Sequence, residues 1–384
     1  VPLLVVLTEQ LLAPVPGGTG RYTRELAAAL AGTAPPGWDV AGVVAKHADP
    51  DAAVIPGLIG PKSLPYPRRV LSALWERGIP VWPGGDSVHA PTPFAPPSVP
   101  RGRGLVVTVH DTVPWTHPET LTRRGAAWHR RMVGRAARRA SALVTPTAAV
   151  AAELARHLDA DRQRSGAGTI GATGPRTHVV GEGVSDALRR PLTDEFQQRV
   201  GRKLRLPDRY VLAVGTVEPR KGIDVLIRAM AGARGPDLPL VLVGASGWGG
   251  VDPRRLAEEH GLARDRLRVL GRIEDTELSA VLRQATVLAA PSRAEGFGLP
   301  VLEAMAVGVP VVHTDVPALV EVAGGAGLVV RRGDPDTLAG ALRAVASDSG
   351  RAQAMIRAGL RRAEHYDWER AARALWRIHL DAVG

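Results

Sequence analysis

Residues 291–312 read PSRAEGFGLPVLEAMAVGVPVV, and the reading of the whole chain turns on how this stretch folds. Pro291, Ser292, Gly296 and Gly298 break any periodicity, so it opens as a loop. From Leu299 it reads as a helix. Pro300 suits a first helical turn, where its missing N–H is not needed, and Gly308 and Pro310 end the helix. The N–H groups of Gly296, Phe297, Gly298 and Leu299 then point out of a helix N-terminus, where an anion or a hydroxyl can be held. Two carboxylates bracket that place, Glu295 in the loop and Glu303 inside the helix. At ~1.5 Å per helical residue they stand up to roughly 12 Å apart. That span is too wide for two carboxyls working on one bond, but it suits two ends of an elongated ligand. The macrodipole favours a glutamate early in a helix with no ligand involved, so the combination carries the reading, not either residue alone.

Upstream, strand and helix alternate with little interruption. Strands are expected at Tyr210–Val214, Leu238–Val243, Leu267–Leu270 and Val287–Ala290, with Val309–His313 after the central stretch. Helices are expected at Ile223–Met230, Arg254–His260 and Thr276–Gln284. Such alternation predicts right-handed βαβ units on a parallel sheet. The turn after the first of these strands is GTVEPRKG, residues 215–222. Arg220 and Lys221, at a strand's carboxyl end and directly before a helix, form a natural clamp for a diphosphate, the Arg as a planar fork and the Lys as a point charge. An exposed basic turn is the plain alternative. Against it, Lys221 is the only Lys after residue 203 in a chain that otherwise uses Arg. A lysine whose work is on a ligand is expected to leave the melting temperature nearly unchanged when removed.

The first half is less regular. Leu3–Leu7 reads as a buried strand, followed by the Gly-rich run Pro16–Arg21 and a helix at Tyr22–Ala31. Gly17 and Gly18 there make a candidate phosphate cradle, although the spacing is neither that of a dinucleotide fold nor that of a P-loop. From Pro50 to Pro118 the chain carries 14 of its 32 prolines, so ordered loops are expected around a helix at Arg69–Glu76. The strand Leu105–Val109 ends at His110-Asp111, and in an open α/β sheet ligands bind beyond the strands' carboxyl ends. Arg123–Ala140 reads as a helix with seven Arg and no acidic residue. Its apolar stripe of Trp128, Met132, Ala136 and Ala140 offers little area for insertion. A domain helix with a solvated Arg face is therefore favoured over one lying on an anionic membrane. A strand at Leu143–Thr145, a helix at Ala148–His157, a mobile surface loop at Arg162–Pro175, a strand at His178–Val180 and a hinge at Gly183–Pro191 complete this half.

At 384 residues the chain is long enough for two cores. The net charge of +11 comes almost entirely from Arg, which fits compositional bias better than a nucleic-acid footprint, and no nucleic-acid partner is expected. With no Cys, thiol catalysis and Cys-ligated zinc are excluded. No run approaches the ~18 apolar residues that span a bilayer. A cytoplasmic protein, peripheral at most at the inner membrane face, is expected. The D-x-D triplets at 49–51, 159–161 and 334–336 lie far from the proposed site, and no metal is expected.

The segment from Glu295 to Glu303 with GFG-L-P between, followed by EAMAVGVPVV, resembles the E-x7-E signature of retaining GT-B glycosyltransferases of family 4. GTVEPRKG resembles that family's GxxEPRKG loop, although many relatives have Arg where Thr216 stands. VTVHDTVPWTHPE resembles its VxxHDxxxxxxPE segment, GGTGRY its N-terminal GGxGRY, and PALVEVAGGAG its downstream piece. The resemblance spans nearly the whole chain and is weakest over 35–100. It implies an α/β GT-B fold of two Rossmann-like domains facing across a cleft, at 1–190 and 191–365, with residues 366–384 as a helix crossing back. It implies transfer of a hexose, mannose favoured, from a nucleoside diphosphate sugar with retention and without a further cofactor. The acceptor would be a glycan, a lipid-linked or a small-molecule hydroxyl. In the roles it implies, Arg220 and Lys221 hold the diphosphate, Glu295 and the amides of Gly296–Leu299 the sugar, Glu303 the ribose, and His110 the region of the sugar's 6-hydroxyl. Gly17 and Gly18 lie beside the phosphates. A nucleotide-sugar 2-epimerase of the same fold, or an inactive basic binding protein, are the alternatives.

Overall fold

The computed structural model describes residues 1–164, 176–247 and 249–384. Most of the predicted loop at 162–175 lies outside them; residues 148–164 belong to one helix. The chain forms two compact units, Val1–Glu182 with Asp367–Gly384, and Gly183–Tyr366.

In the first unit the strands are β1 (Leu3–Leu7), β2 (Asp39–Val44), β3 (Ile59–Ser63), β4 (Ser87–Ala90), β5 (Gly104–Thr108), β6 (Ala142–Thr145) and β7 (Arg176–Val179). They make one parallel sheet in the order β3-β2-β1-β4-β5-β6-β7. The chain winds outward from β1 in one direction and then returns to build the other side from β4, so the switch point falls between β1 and β4. The proline-dense region, expected as loops, contributes β3 and β4. Pro61 is tolerated because β3 is an edge strand. The sequence SVHA of β4 does not look like a central strand, yet all four residues are buried.

The final helix explains how that is possible. Trp368–Val383 packs on the helix Gly17–Gly32 and on β5. Ser87 Oγ meets His379 Nδ1 at 2.7 Å, His379 Nε2 meets His89 Nδ1 at 3.3 Å, and His89 Nε2 meets Thr108 Oγ1 at 3.4 Å. Thr108 in turn meets the Tyr22 hydroxyl at 3.1 Å. A continuous polar chain thus satisfies groups that would otherwise be costly to bury. Burial, with charge on His110 adding to it, pushes the His89 imidazolium down to about 3, and burial, with charge on His89 adding to it, holds that of His379 well below the usual range. At Gly104 a Cβ would stand 2.7 Å from Ser87 Oγ and 3.0 Å from Ala382 Cβ, so only glycine lets the helix approach this closely.

The Arg-rich helix runs Arg123–Arg139 with Met132, Ala136 and Ala140 buried, as its periodicity predicts. Several of its cations serve the unit itself: Arg130 donates to Pro114 O, Arg135 to the carbonyls of Trp75 and Glu76, and Arg131 to Glu76.

The second unit has strands β8 (Val211–Val214), β9 (Leu240–Val243), β10 (Leu267–Gly271), β11 (Val287–Ala290), β12 (Val311–Thr314) and β13 (Leu328–Val330), in the parallel order β10-β9-β8-β11-β12-β13. Their apolar runs, such as LVLV and VLAA, are those of strands covered on both faces. Helices follow at Ile223–Ala231, Asp275–Gln284 and Leu299–Ala306, close to the predicted bounds. The helix Asp194–Leu204, with Thr193 as its N-cap, was not predicted. Here the switch point lies between β8 and β11. Among the described residues no helix is long and apolar enough to cross a membrane.

Candidate active site

Both predicted motif loops of the second unit leave carboxyl ends at this switch point, 215–222 after β8 and 291–298 after β11. They are knitted together by backbone. Gly222, at φ +66°, lies so close to Pro291 that a Cβ would come within 2.1 Å of its carbonyl oxygen. The amide of Arg293 donates to Arg220 O at 2.8 Å. Arg293 also donates from Nη1 to Pro219 O at 2.6 Å and forms a fork on Asp224, at 2.8 and 2.6 Å. The fork and its charge overcome burial and hold the Asp224 carboxyl below its usual range. Sequence reading missed Ser292, Arg293, Asp224 and Glu218. Nothing in the local sequence of either loop showed that the two touch.

On this base sits a charge cluster. Lys221 Nζ is 2.6 Å from Glu295 Oε1, Ser292 Oγ donates to the same oxygen at 2.7 Å, and Arg220 Nη1 reaches Glu295 Oε2 at 3.1 Å. Arg220 Nη2 donates to Glu218 at 2.8 Å, and Nη1 to Ala294 O at 3.0 Å. Burial opposes the charge on Glu295, but Lys221 and Arg220 overcome it and hold the carboxyl at about 2. Glu295 is therefore ionised throughout the neutral range. Two cations here share two carboxylates, so Arg220 and Lys221 do not stand as bare charges awaiting a ligand. An ammonium has three N–H donors, and Glu295 takes one of those of Lys221. The expectation that loss of Lys221 leaves folding stability unchanged is corrected by this pairing.

Lys221, Ser292, Glu295 and Gly298 line one cavity with Gly215 and Pro291. Gly298 is the N-cap of the helix Leu299–Ala306 at φ +100°, where Leu319 leaves no room for a Cβ. In the first turn of that helix Pro300 has no N–H, and the amides of Val301 and Leu302 donate to Gly298 O at 2.9 and 3.3 Å. Phe297 is buried, its ring edge-on to Tyr366 at 5.5 Å. Glu303 is 1% exposed in the helix and is not among the residues lining this cavity. Gly296, Phe297 and Leu299 lie in the same loop and helix start.

The remaining candidates belong to the first unit. His110 follows β5, its Nε2 donating to Pro91 O at 2.8 Å, its Nδ1 3.6 Å from Glu182, and its ring near-perpendicular to that of Tyr22 with centroids 4.5 Å apart. Gly17 and Gly18 are not in a loop: the helix begins at Gly17 and includes the whole glycine run. A Cβ at either meets nothing within 4 Å, whereas at Gly20 it would stand 2.3 Å from Pro16 Cβ, so the packing demand for glycine falls on Gly20. The D-x-D triplets serve local structure. Asp49 caps a turn at Asp51, Asp161 accepts from Trp115, and Asp334 caps the helix Pro335–Ser347. Among the described residues no three His, Cys, Asp or Glu side chains converge as metal ligands.

Two parallel Rossmann-like sheets place the chain in the GT-B class. Among solved structures it is similar to sucrose-phosphate synthase from Thermosynechococcus elongatus (TM-score 0.73, 23% identity, 99% of this chain and 98% of that one). It is also similar to Anabaena HepE in complex with UDP-glucose (TM-score 0.70, 19% identity, 98% and 99%). Residues 194–362 match the model of glycosyl transferases group 1, and residues 16–165 that of glycosyltransferase family 4. The chain belongs to the family-4 type of GT-B glycosyltransferases. It is 40% identical over 164 residues to O-antigen chain mannosyltransferase B of Escherichia coli, covering 42% of each chain. It is 34% identical over 289 residues to D-inositol 3-phosphate glycosyltransferase of Corynebacterium aurimucosum, covering 72% of this chain and 64% of that one. The matches thus span between two fifths and two thirds of these relatives' own lengths.

Proposed function

We infer that this chain is a retaining glycosyltransferase that moves a hexose from a nucleoside diphosphate sugar to an acceptor hydroxyl. The observation that carries the reading is the Lys221–Glu295–Arg220 cluster at the β8/β11 switch point, directly before a helix N-terminus. When the sugar–phosphate bond breaks, charge grows on the leaving diphosphate. The remaining N–H donors of Lys221, in the cavity that Gly298 at the helix start also lines, would meet that charge. Glu295, ionised and fixed by three partners, orients the ammonium and offers its carboxylate edge to the sugar. Among the described residues Glu295 is the one carboxylate lining this cavity, with no partner at the short spacing of a double-displacement glycosidase, which favours a front-face route to retention. Metal-independence belongs to the same proposal.

Mannose is the favoured sugar and GDP-mannose the favoured donor, since relatives include the O-antigen mannosyltransferase and a phosphatidyl-myo-inositol mannosyltransferase of Mycobacterium leprae, the latter 34% identical over 167 residues. A UDP-hexose is the second choice. The acceptor is a glycan, lipid-linked or small polyol hydroxyl, and the reaction is assigned to the cytoplasm. For a lipid-linked acceptor, Arg123 and Arg124 at one end of their helix and Arg138 and Arg139 at the other are exposed and would meet an anionic surface. Thermal unfolding with GDP, UDP, dTDP and ADP tests the reading, because a ligand that binds only the folded state raises its stability. GDP should give the largest shift, and release of GDP from GDP-mannose should require an acceptor. No shift with any of the four nucleotides would refute the assignment.

A further inference from the structure

In the first unit a neutral His110 ring and the Glu182 carboxylate set two hydrogen-bond acceptors side by side. Pro91 O can only accept, so the hydrogen bond at 2.8 Å places the ring proton of His110 on Nε2. In the neutral ring Nδ1 then presents a lone pair, and 3.6 Å away it faces the carboxylate oxygen Oε1 of Glu182. That is longer than a hydrogen bond, and both atoms are acceptors. The two side chains are 18% and 5% exposed, so bulk water compensates them poorly. Two acceptors side by side at this spacing match two parallel O–H donors on adjacent sugar or cyclitol carbons. Each residue follows the carboxyl end of its strand, His110 after β5 and Glu182 after β7, where an α/β sheet receives ligands.

We propose that Glu182 is a specificity-determining residue, bracketing with His110 Nδ1 a vicinal diol of the substrate, one hydroxyl donating to each. The assignment deepens the glycosyl-transfer reading and rests on it. The diol belongs either to the donor sugar or to a polyol acceptor, and the two sources separate experimentally. Glu182→Ala and Glu182→Gln are compared with the wild-type chain using the parent donor, its monodeoxy forms, and monodeoxy forms of the acceptor. In the wild type, removal of either hydroxyl of one adjacent pair should lower kcat/KM about 10- to 100-fold. In Glu182→Ala the parent should fall by a similar factor, and one of those two deoxy positions should cease to matter. Gln keeps one acceptor oxygen and should lie between. The substrate whose deoxy series shows this coupling is the source of the diol.

A second measurement does not depend on turnover. The ring 15N resonances of His110, assigned by their loss in His110→Gln, should respond at Nδ1 to millimolar methyl α-mannoside or myo-inositol in the wild type, and not in Glu182→Ala. If Glu182→Ala lowers kcat/KM by one common factor for parent and every deoxy substrate, the proposal is overturned. If no donor turns over, the glycosyl-transfer reading fails first, and a ring insensitive to both probes overturns the diol bracket as well.

Discussion

Replacing Lys221 by Ala tests the site on two axes at once. Its ammonium, 14% exposed, is 2.6 Å from a Glu295 carboxylate that is 10% exposed. Folding lowers the Glu295 carboxyl from 4.5 to about 2, with burial opposing and Lys221 the largest favourable influence. At about 1.4 kcal/mol per pH unit, that drop is worth about 3 kcal/mol of folding stability. Arg220 and Ser292 remain to hold the carboxylate, so the variant should lose about 1.5–3 kcal/mol, the range of one charge-assisted hydrogen bond. The pH dependence identifies the partner. A depressed carboxyl stabilises the fold fully above its unfolded value of 4.5 and loses that contribution as pH falls towards 2. The gap between wild type and Lys221→Ala in urea unfolding should therefore be widest at neutral pH and shrink below 4.5. Catalysis should fall as well, by about 10- to 150-fold in kcat/KM, with Arg rescuing only in part because a planar fork does not replace a compact ammonium. A stability gap equal at pH 7 and pH 3 would refute the pairing with Glu295. Near-wild-type kcat/KM at low salt would refute contact with the leaving group.

The buried His89–His379 pair makes the first unit acid-sensitive. Both rings are held neutral, so below the unfolded value near 6.5 each should cost up to about 1.4 kcal/mol per pH unit, the window for His89 extending to about 3. Urea unfolding at pH 7, 6 and 5 should show that slope, roughly halved in His379→Gln; an unchanged slope in the variant would exclude the pair as its source. Gly222→Ala should destabilise by at least about 2 kcal/mol, whereas Gly261→Ala, with a similar positive φ but nothing within 4 Å, should cost about 1 kcal/mol. Equal losses in chemical denaturation would mean that the approach to Pro291 is unimportant. Glu303→Ala should weaken nucleotide binding, while Glu295→Ala should chiefly lower turnover, because contacts at the reacting sugar strengthen as charge develops. If both variants raise only the donor KM, the placing of Glu295 at the reacting end is wrong.

The order of elements in the second unit was legible because each element announces itself locally. Strands covered on both faces are short apolar runs, and Pro300, Gly308 and Pro310 mark the helix that matters. The same local signals put Arg220, Lys221 and Glu295 at the ends of strands. What they could not reveal is that the residues meet. The contact of Lys221 with Glu295 spans 74 positions and arises because β8 and β11 lie side by side at a crossover, a fact of topology with no local trace. Central β4 went unseen for a related reason. Ser87 and His89 fall in the stretch read as ordered loops, and His379, which satisfies them, lies 290 or more positions away, where no window of sequence contains it. The glycine run at 17–20 looked like a loop because glycine disfavours helix. The helix forms there because it continues the well-formed stretch Tyr22–Leu30 backwards and is held by packing on Trp368–Val383. Composition and spacing thus determined which residues could do chemistry, and tertiary structure decided which of them share a charge, a proton or a wall, because those relations depend on distances of a few ångström between segments remote in the chain.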